Sequence, residues 1–187
     1  MDDHDGQTGY RGWELAQSSN QFYPLLMGFG DGNGYMWSGS AMVYHRGMSE
    51  TIDAGNWFSG ESGLIAFYTR DGALQNQVLM SSDDGGMTWT KRILIPQNRV
   101  GINTRIDCRD PKVFPLVREN DRVATWGMTL SNQADGKVYF LKSEDLCAWD
   151  YAGEFAIDRP ECVDVYALTA DDASEHTVLT FSGRSYL

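Results

Sequence analysis

Ser82-Asp83-Asp84-Gly85-Gly86-Met87-Thr88-Trp89 is the stretch whose reading decides the fold. It fits the pattern S-x-D-x-G-x-T-W, the Asp box. In such a turn the Asp84 carboxylate accepts bonds from nearby backbone N–H groups and ties the loop down, while the Trp89 ring packs between sheets. The motif is specific but architectural, since boxes of this kind cap hairpins rather than meet a ligand.

Working outward from the box, stretches of strand length recur on both sides. They cover Ser40–Tyr44, Gly63–Tyr68, Gln77–Ser81, Lys91–Ile95, Lys112–Leu116, Arg122–Leu130, Lys137–Lys142, Val163–Leu168 and Thr177–Ser182. Turn signals stand between them at Asp31-Gly-Asn-Gly, Asp71-Gly, Asp84-Gly-Gly and Asp135-Gly. A 3.6-residue period is confined to short helical turns near Trp13 and over Ser143–Leu146, and Ser49–Glu61 reads as a polar, helix-poor loop. The expectation is an all-β chain of hairpins and meanders. Aligning the tryptophans adds a repeat: Ser143-Glu-Asp-Leu-Cys-Ala-Trp149 is a looser box ending 60 residues after Trp89, and Gly12-Trp13-Glu14 is the tail of a third copy. That spacing suits the four-stranded blades of a β-propeller. The 187 residues then hold the end of blade 1, blades 2 and 3, and the start of blade 4, as one domain.

Composition agrees. Aromatic residues make up 12% of the chain and glycines number 20, a usage that favours short strands and tight turns. The formal net charge of −11 argues against nucleic acid and anionic membranes as partners, because phosphate binding needs clustered Lys and Arg. No run approaches the roughly 20 apolar residues of a membrane helix. Three cysteines, Cys108, Cys147 and Cys162, show no CxxC spacing, so neither a disulfide framework nor a zinc site is expected.

Two carboxylate motifs stand apart from the other acidic residues. In Cys108-Arg109-Asp110-Pro111-Lys112-Val113-Phe114 the proline forces extended or turning backbone just ahead of a strand, which aims a charged side chain out of the strand end. On that reasoning Asp110 is equally a catalytic group, a surface turn residue or a partner of Arg109. In Arg159-Pro160-Glu161-Cys162-Val163-Asp164 the carboxylate of Glu161 again follows a proline and opens a strand. Taken by itself, it is explained better by a salt-bridged rim position than by catalysis.

Together and in this order the motifs resemble glycoside hydrolase family 32, the invertases, inulinases and levanases. Trp37-Ser38-Gly39-Ser40 matches the family's F/W-S-G-S, Arg109-Asp110-Pro111 its R-D-P, and Glu161-Cys162-Val163-Asp164 its E-C-[P/V]-D. Phe67-Tyr68-Thr69, Gln75–Gln77 and Gly153-Glu154-Phe155 are supporting matches. The resemblance implies a five-bladed propeller, a retaining mechanism and a fructose-containing substrate: sucrose, a fructo-oligosaccharide, or the fructans inulin and levan. It assigns the general acid/base to Glu161 and transition-state stabilisation to Asp110. Arg109 would balance charge and orient both carboxylates, Trp37 and Ser38 would line the sugar pocket, and Cys162 would help shape it. Neither a metal nor a cofactor is called for. Family habit places fructan degradation outside cells and sucrose handling inside or outside.

The family's nucleophilic Asp lies in W-x-N-D-P-N-G, and no such motif stands in these 187 residues. The acidic start Asp2, Asp3, Asp5 lacks the flanking Trp and Pro-Asn-Gly, so the nucleophile is assigned to no residue here. The expectation is an internal piece of the propeller. Three other classes compete: a non-catalytic carbohydrate-binding propeller, a sialidase-like propeller suggested by the Asp box, and a structural propeller without a sugar ligand. A partial propeller leaves blade faces and strand edges uncovered. The chain should therefore self-associate, swap elements, be complemented by the missing blades or be marginally stable; a monodisperse monomer in sedimentation that unfolds cooperatively would contradict this.

Overall fold

The computed structural model describes residues 36–71, 75–95, 107–119 and 122–182. The Trp13 repeat, the acidic start and the Asp31–Gly34 turn lie outside these residues. The described chain is mostly strand. β1 (Met36–His45), β2 (Ser62–Arg70), β3 (Asn76–Ser82) and β4 (Thr90–Ile95) form one antiparallel sheet in chain order. β5 (Cys108–Glu119), β6 (Arg122–Asn132), β7 (Lys137–Ser143) and β8 (Asp150–Ala156) form a second in the same order. β9 (Glu161–Thr169) and β10 (Glu175–Ser182) pair as a hairpin.

Period-2 alternation builds the core. On β2 and β3 the residues Ile65, Phe67 and Leu79 face the second sheet, which answers with Val113, Trp126, Met128, Leu130 and Leu141, all fully or nearly fully buried. The alternate residues Ala66, Tyr68, Val78 and Met80 form a second cluster with Met36 and Trp89 packed on it. Because both faces of this sheet are apolar, β2 reads as a near-continuous hydrophobic run, and each large side chain buried there contributes about 1.5–3 kcal/mol.

The two Asp-box loops occupy equivalent places, joining the third and fourth strands of each sheet. In the first, Asp84 accepts the Thr88 N–H at 2.9 Å and its hydroxyl at 2.6 Å, and Trp89 Nε1 donates to the Gly86 carbonyl at 2.9 Å. The second is one residue shorter yet repeats the chemistry. Asp145 accepts the N–H groups of Cys147 and Ala148, both at 2.8 Å, and Trp149 Nε1 donates to the Leu146 carbonyl at 3.0 Å. Ser143–Leu146 is thus a strand end leading into this loop rather than a helical turn. Trp149 then meets Phe67 of the first sheet edge-on, with ring centroids 6.0 Å apart, so a loop of one sheet packs on the neighbouring sheet.

Two local expectations change. Within Ser49–Glu61 lies a five-residue helix, α1 (Glu50–Ala54), started by the Ser49 hydroxyl accepting the Ile52 N–H at 3.3 Å and anchored by a fully buried Ile52. A single turn is too short to show a helical period. The strand β8 had no signal either: its residues are exposed along the sheet edge, and it is held by its ladder to β7 and the Lys137–Glu154 ion pair at 2.6 Å.

Burial works against ionisation of Asp145, but the N–H bonds of Ala148 and Cys147 and the hydroxyls of Ser143 and Thr51 outweigh it and hold its pKa below the ordinary value. A carboxyl lowered on folding stabilises the fold fully above its unfolded pKa of about 3.9, and the contribution is lost as pH falls through the lower folded value. Urea midpoints measured from pH 5 downward should therefore fall less steeply for Asp145→Asn than for wild type; parallel declines would contradict this assignment.

Candidate active site

The first strands of the three sheets, β1, β5 and β9, lie next to one another and are stitched together at or just past the ends of the motifs. Ser40 on β1 donates to the Pro111 carbonyl at 2.7 Å and accepts the Val113 N–H at 3.1 Å. Lys112 on β5 pairs with Asp164 on β9 at 2.6 Å. Each strand also breaks register at the same end. The ladder shifts between Trp37 and Gly39, between Arg109 and Lys112, and opposite Cys162–Val163, where Thr180 pairs with Asp164 but Ser182 with Glu161. A bulge of this kind turns a side chain out of the alternating pattern. At Trp37–Gly39 the glycine is required by space, since a Cβ on Gly39 would sit 1.9 Å from the Phe67 carbonyl oxygen.

Two of the bulges hold non-glycine residues in left-handed backbone, Asp110 at φ 59° and Cys162 at φ 48°. Such conformations cost of order 1–3 kcal/mol each and persist only where surrounding bonds fix them. Here the fixing bonds run in series through Asp110. The Asp110 N–H donates to Thr69 Oγ1 at 3.0 Å, and the Cys162 N–H donates to Asp110 Oδ2 at 2.9 Å. Ser131 on β6 donates to the same oxygen at 3.1 Å. Asp110 is only 6% exposed, so this buried charge depends on those donors. Among the described residues its other oxygen, Oδ1, takes no bond.

Arg109 is also buried and forks between two carboxylates, with Nη2 3.4 Å from Glu161 and Nη1 3.2 Å from Asp107. Its guanidinium lies 5.2 Å from the centroid of the Trp37 ring, a cation–π contact. The pair of carboxylates that Arg109 orients is therefore Glu161 with Asp107, whereas Asp110 is held by Ser131 and the Cys162 backbone. Glu161 keeps about half of its side chain exposed at 45%, and the Cys162 side chain is exposed.

Trp37, Ser38, Arg109, Asp110, Glu161 and Cys162 all line one open cleft of about 530 Å³. Every residue singled out in the sequence thus reaches the same place. A second groove of about 550 Å³ runs further along the same strands past Met42, Phe114, Trp126 and Val165, and no carboxylate lines it. The first cleft is the one equipped for acid/base chemistry and for hydrogen bonding to hydroxyls. Asp107, Ser131, Thr69 and Gln77 were not assigned roles from the sequence. Thr69 and Gln77 stood only as framework matches, and Asp107 and Ser131 carry no spacing signal.

Comparison with known proteins follows this geometry. The family model of the glycosyl hydrolases family 32 N-terminal domain matches residues 27–186. A fructan beta-fructosidase of Streptococcus mutans is 32% identical over 97% of the chain, and a levanase of Bacillus subtilis is 34% identical over 88%. The chain spans 12% and 24% of the length of these two proteins. An exo-inulinase from Aspergillus awamori shares the fold, with a TM-score of 0.66 at 23% identity, over 83% of this chain and 34% of its own. The all-β propeller architecture expected from the Trp repeat is the architecture of these relatives.

Replacing Asp110 by Ala would leave the Cys162 N–H without its acceptor, while the Ser131 hydroxyl keeps the Arg109 carbonyl at 3.2 Å, at a cost of about 1–3 kcal/mol. Urea unfolding should show a clear loss for Asp110→Ala and a smaller one for Asp110→Asn, which keeps an oxygen; an alanine variant as stable as wild type would contradict the geometry.

Proposed function

The chain belongs to glycosyl hydrolase family 32, and from that premise we propose that its cleft binds the fructosyl unit of sucrose or a fructan and supplies two of the three carboxylates of a retaining β-fructosidase. The observation that carries this reading is the convergence of Trp37, Ser38, Arg109, Asp110, Glu161 and Cys162 on one cleft. The names of the matched relatives, a fructan beta-fructosidase and a levanase, support the substrate class. In the same reading the sheets β1–β4 and β5–β8 are blades 2 and 3 of a five-bladed propeller, and the β9–β10 hairpin opens blade 4.

In a retaining glycosidase one carboxylate attacks the anomeric carbon while a second protonates the departing glycosidic oxygen and then takes a proton from the water that releases the sugar. Glu161 is the second group. It sits at the cleft with half its side chain open to solvent, where it can reach both the leaving oxygen and water, and Arg109 fixes its position. Asp110 is the stabiliser. Its Oδ2 is committed to Ser131 and Cys162, which leaves Oδ1 to accept hydrogen bonds from fructosyl hydroxyls as positive charge develops on the ring. Trp37, held on one side by Arg109 and still 37% exposed, offers ring surface to sugar C–H groups. Ser38, turned out by its bulge, offers a hydroxyl.

The attacking carboxylate is the one these 187 residues lack, because W-x-N-D-P-N-G does not occur among them. The chain by itself therefore binds without cleaving. Calorimetric titration with fructose and levan oligosaccharides should give saturable binding, weakened roughly tenfold or more by Trp37→Ala and by Asp110→Asn. No fructose should be released from sucrose, inulin or levan. Absence of binding, or binding indifferent to both substitutions, would overturn the sugar reading. Turnover that disappears in Glu161→Gln would overturn the division of carboxylates.

A further inference from the structure

Asp110 is held from outside its own sheet. The face of β2 and β3 that packs on the second sheet is apolar through Ile65, Phe67 and Leu79, then turns polar at its last pair, Thr69 and Gln77. These two lie directly opposite each other in the ladder and are 0% and 1% exposed. A buried hydroxyl and carboxamide at the end of an apolar face need a local purpose, since each must find partners away from water. All of the partners found lead to the start of β5. Thr69 Oγ1 donates to Gln77 Oε1 at 2.8 Å and accepts the Asp110 N–H at 3.0 Å, while Gln77 Nε2 donates to the Cys108 carbonyl at 3.0 Å.

We infer that Thr69 and Gln77 are positioning residues for Asp110, a two-point clamp from the neighbouring sheet that fixes the left-handed turn aiming its carboxylate into the cleft. The two bonds to β5 bracket Arg109, one on the carbonyl before it and one on the N–H after it. The hydroxyl–carboxamide bond sets the direction of both. With its proton committed to Gln77 Oε1, Thr69 can only accept from Asp110, and Gln77 can only donate to Cys108. Neither side chain is among those that line the cleft, so both act through the backbone of β5. The consequence for ligand affinity rests on the sugar reading given above; the control of Asp110 geometry does not.

The test pairs two readouts on the full chain. Hydrogen exchange followed by NMR reports whether the Asp110 N–H is bonded, and calorimetry reports fructose affinity. Thr69→Val keeps the shape without the acceptor, Thr69→Ser keeps the acceptor, Gln77→Leu removes the second point, and Ile65→Val is a mild packing change on the same strand. Expected are loss of Asp110 N–H protection and roughly tenfold weaker fructose binding in Thr69→Val and Gln77→Leu. Near-wild-type behaviour is expected in both Thr69→Ser and Ile65→Val. If Thr69→Val does not fold, Gln77→Leu with the serine rescue carries the same comparison. An Asp110 N–H as protected in Gln77→Leu and Thr69→Val as in wild type would overturn the clamp. Lost protection with unchanged fructose affinity would overturn its positioning role. A wild-type chain that binds no fructose, yet loses Asp110 protection in Thr69→Val, would sink the sugar reading and leave the clamp supported.

Discussion

The arrangement at the cleft depends on how a nearly buried carboxylate, Asp110, is kept satisfied. Its acceptors and donors reach three sheets at once: its N–H goes to Thr69 on β2, and its Oδ2 accepts from Ser131 on β6 and from the Cys162 N–H on β9. A charge this deep would be costly without those partners. The same three bonds offset the strain of left-handed backbone at Asp110 and Cys162, so the electrostatic and conformational requirements are met by one set of contacts. They form only if the sheets keep a fixed separation. That separation is set by the apolar interface in which Phe67 and Leu79 meet Trp126 and Met128, with Trp149 packed edge-on against Phe67.

Repetition explains why the site assembles where it does. Each sheet begins with a strand that bulges at the same end, and each bulge carries one of the chemical motifs, so three similar local departures converge on one cleft. The bonds one residue further along, Ser40 to the Pro111 carbonyl and Lys112 to Asp164, lock neighbouring first strands in register. At the far end of both four-stranded sheets the Asp-box loop repeats as well. The two versions differ by one residue in length and in the identity of the left-handed positions, Gly85 and Gly86 in one and Leu146 in the other. The shared device is a carboxylate that accepts backbone N–H bonds from its own loop, with an indole N–H closing that loop.

Most of the fold was legible because strand alternation and turn chemistry are local. The nine expected strands correspond to β1–β7, β9 and β10, with the strand starts extended in the structure by a few residues at Met36, Cys108 and Glu161. Those extensions matter, since they are the bulged segments that carry the site, where alternation fails by construction. The strand β8 escaped notice because an exposed edge strand needs no apolar face. The helix α1 escaped because one capped turn anchored by Ile52 has no period to detect. At the cleft the six motif residues were legible through their order along the chain. Their supporting shell was not: Thr69, Gln77 and Ser131 act through cross-sheet hydrogen bonds, and the pairing of Arg109 with Asp107 rather than Asp110 is a side-chain arrangement that spacing does not encode.

The chemistry proposed for the cleft follows from this division of labour. In that proposal Asp110 commits one oxygen to structure and keeps the other for ligand, Arg109 joins the aromatic ring to Glu161 as the acid, and the bulges expose Trp37 and Ser38 beside them. The most direct measurement is a crystal structure of the full chain soaked with fructose. The account predicts a fructose ring in the cleft against Trp37, with a hydroxyl within hydrogen-bond distance of Asp110 Oδ1 and Oδ2 still bonded to Cys162. A sugar seated in the apolar groove beside Phe114, or bound with Asp110 Oδ1 unengaged, would contradict it.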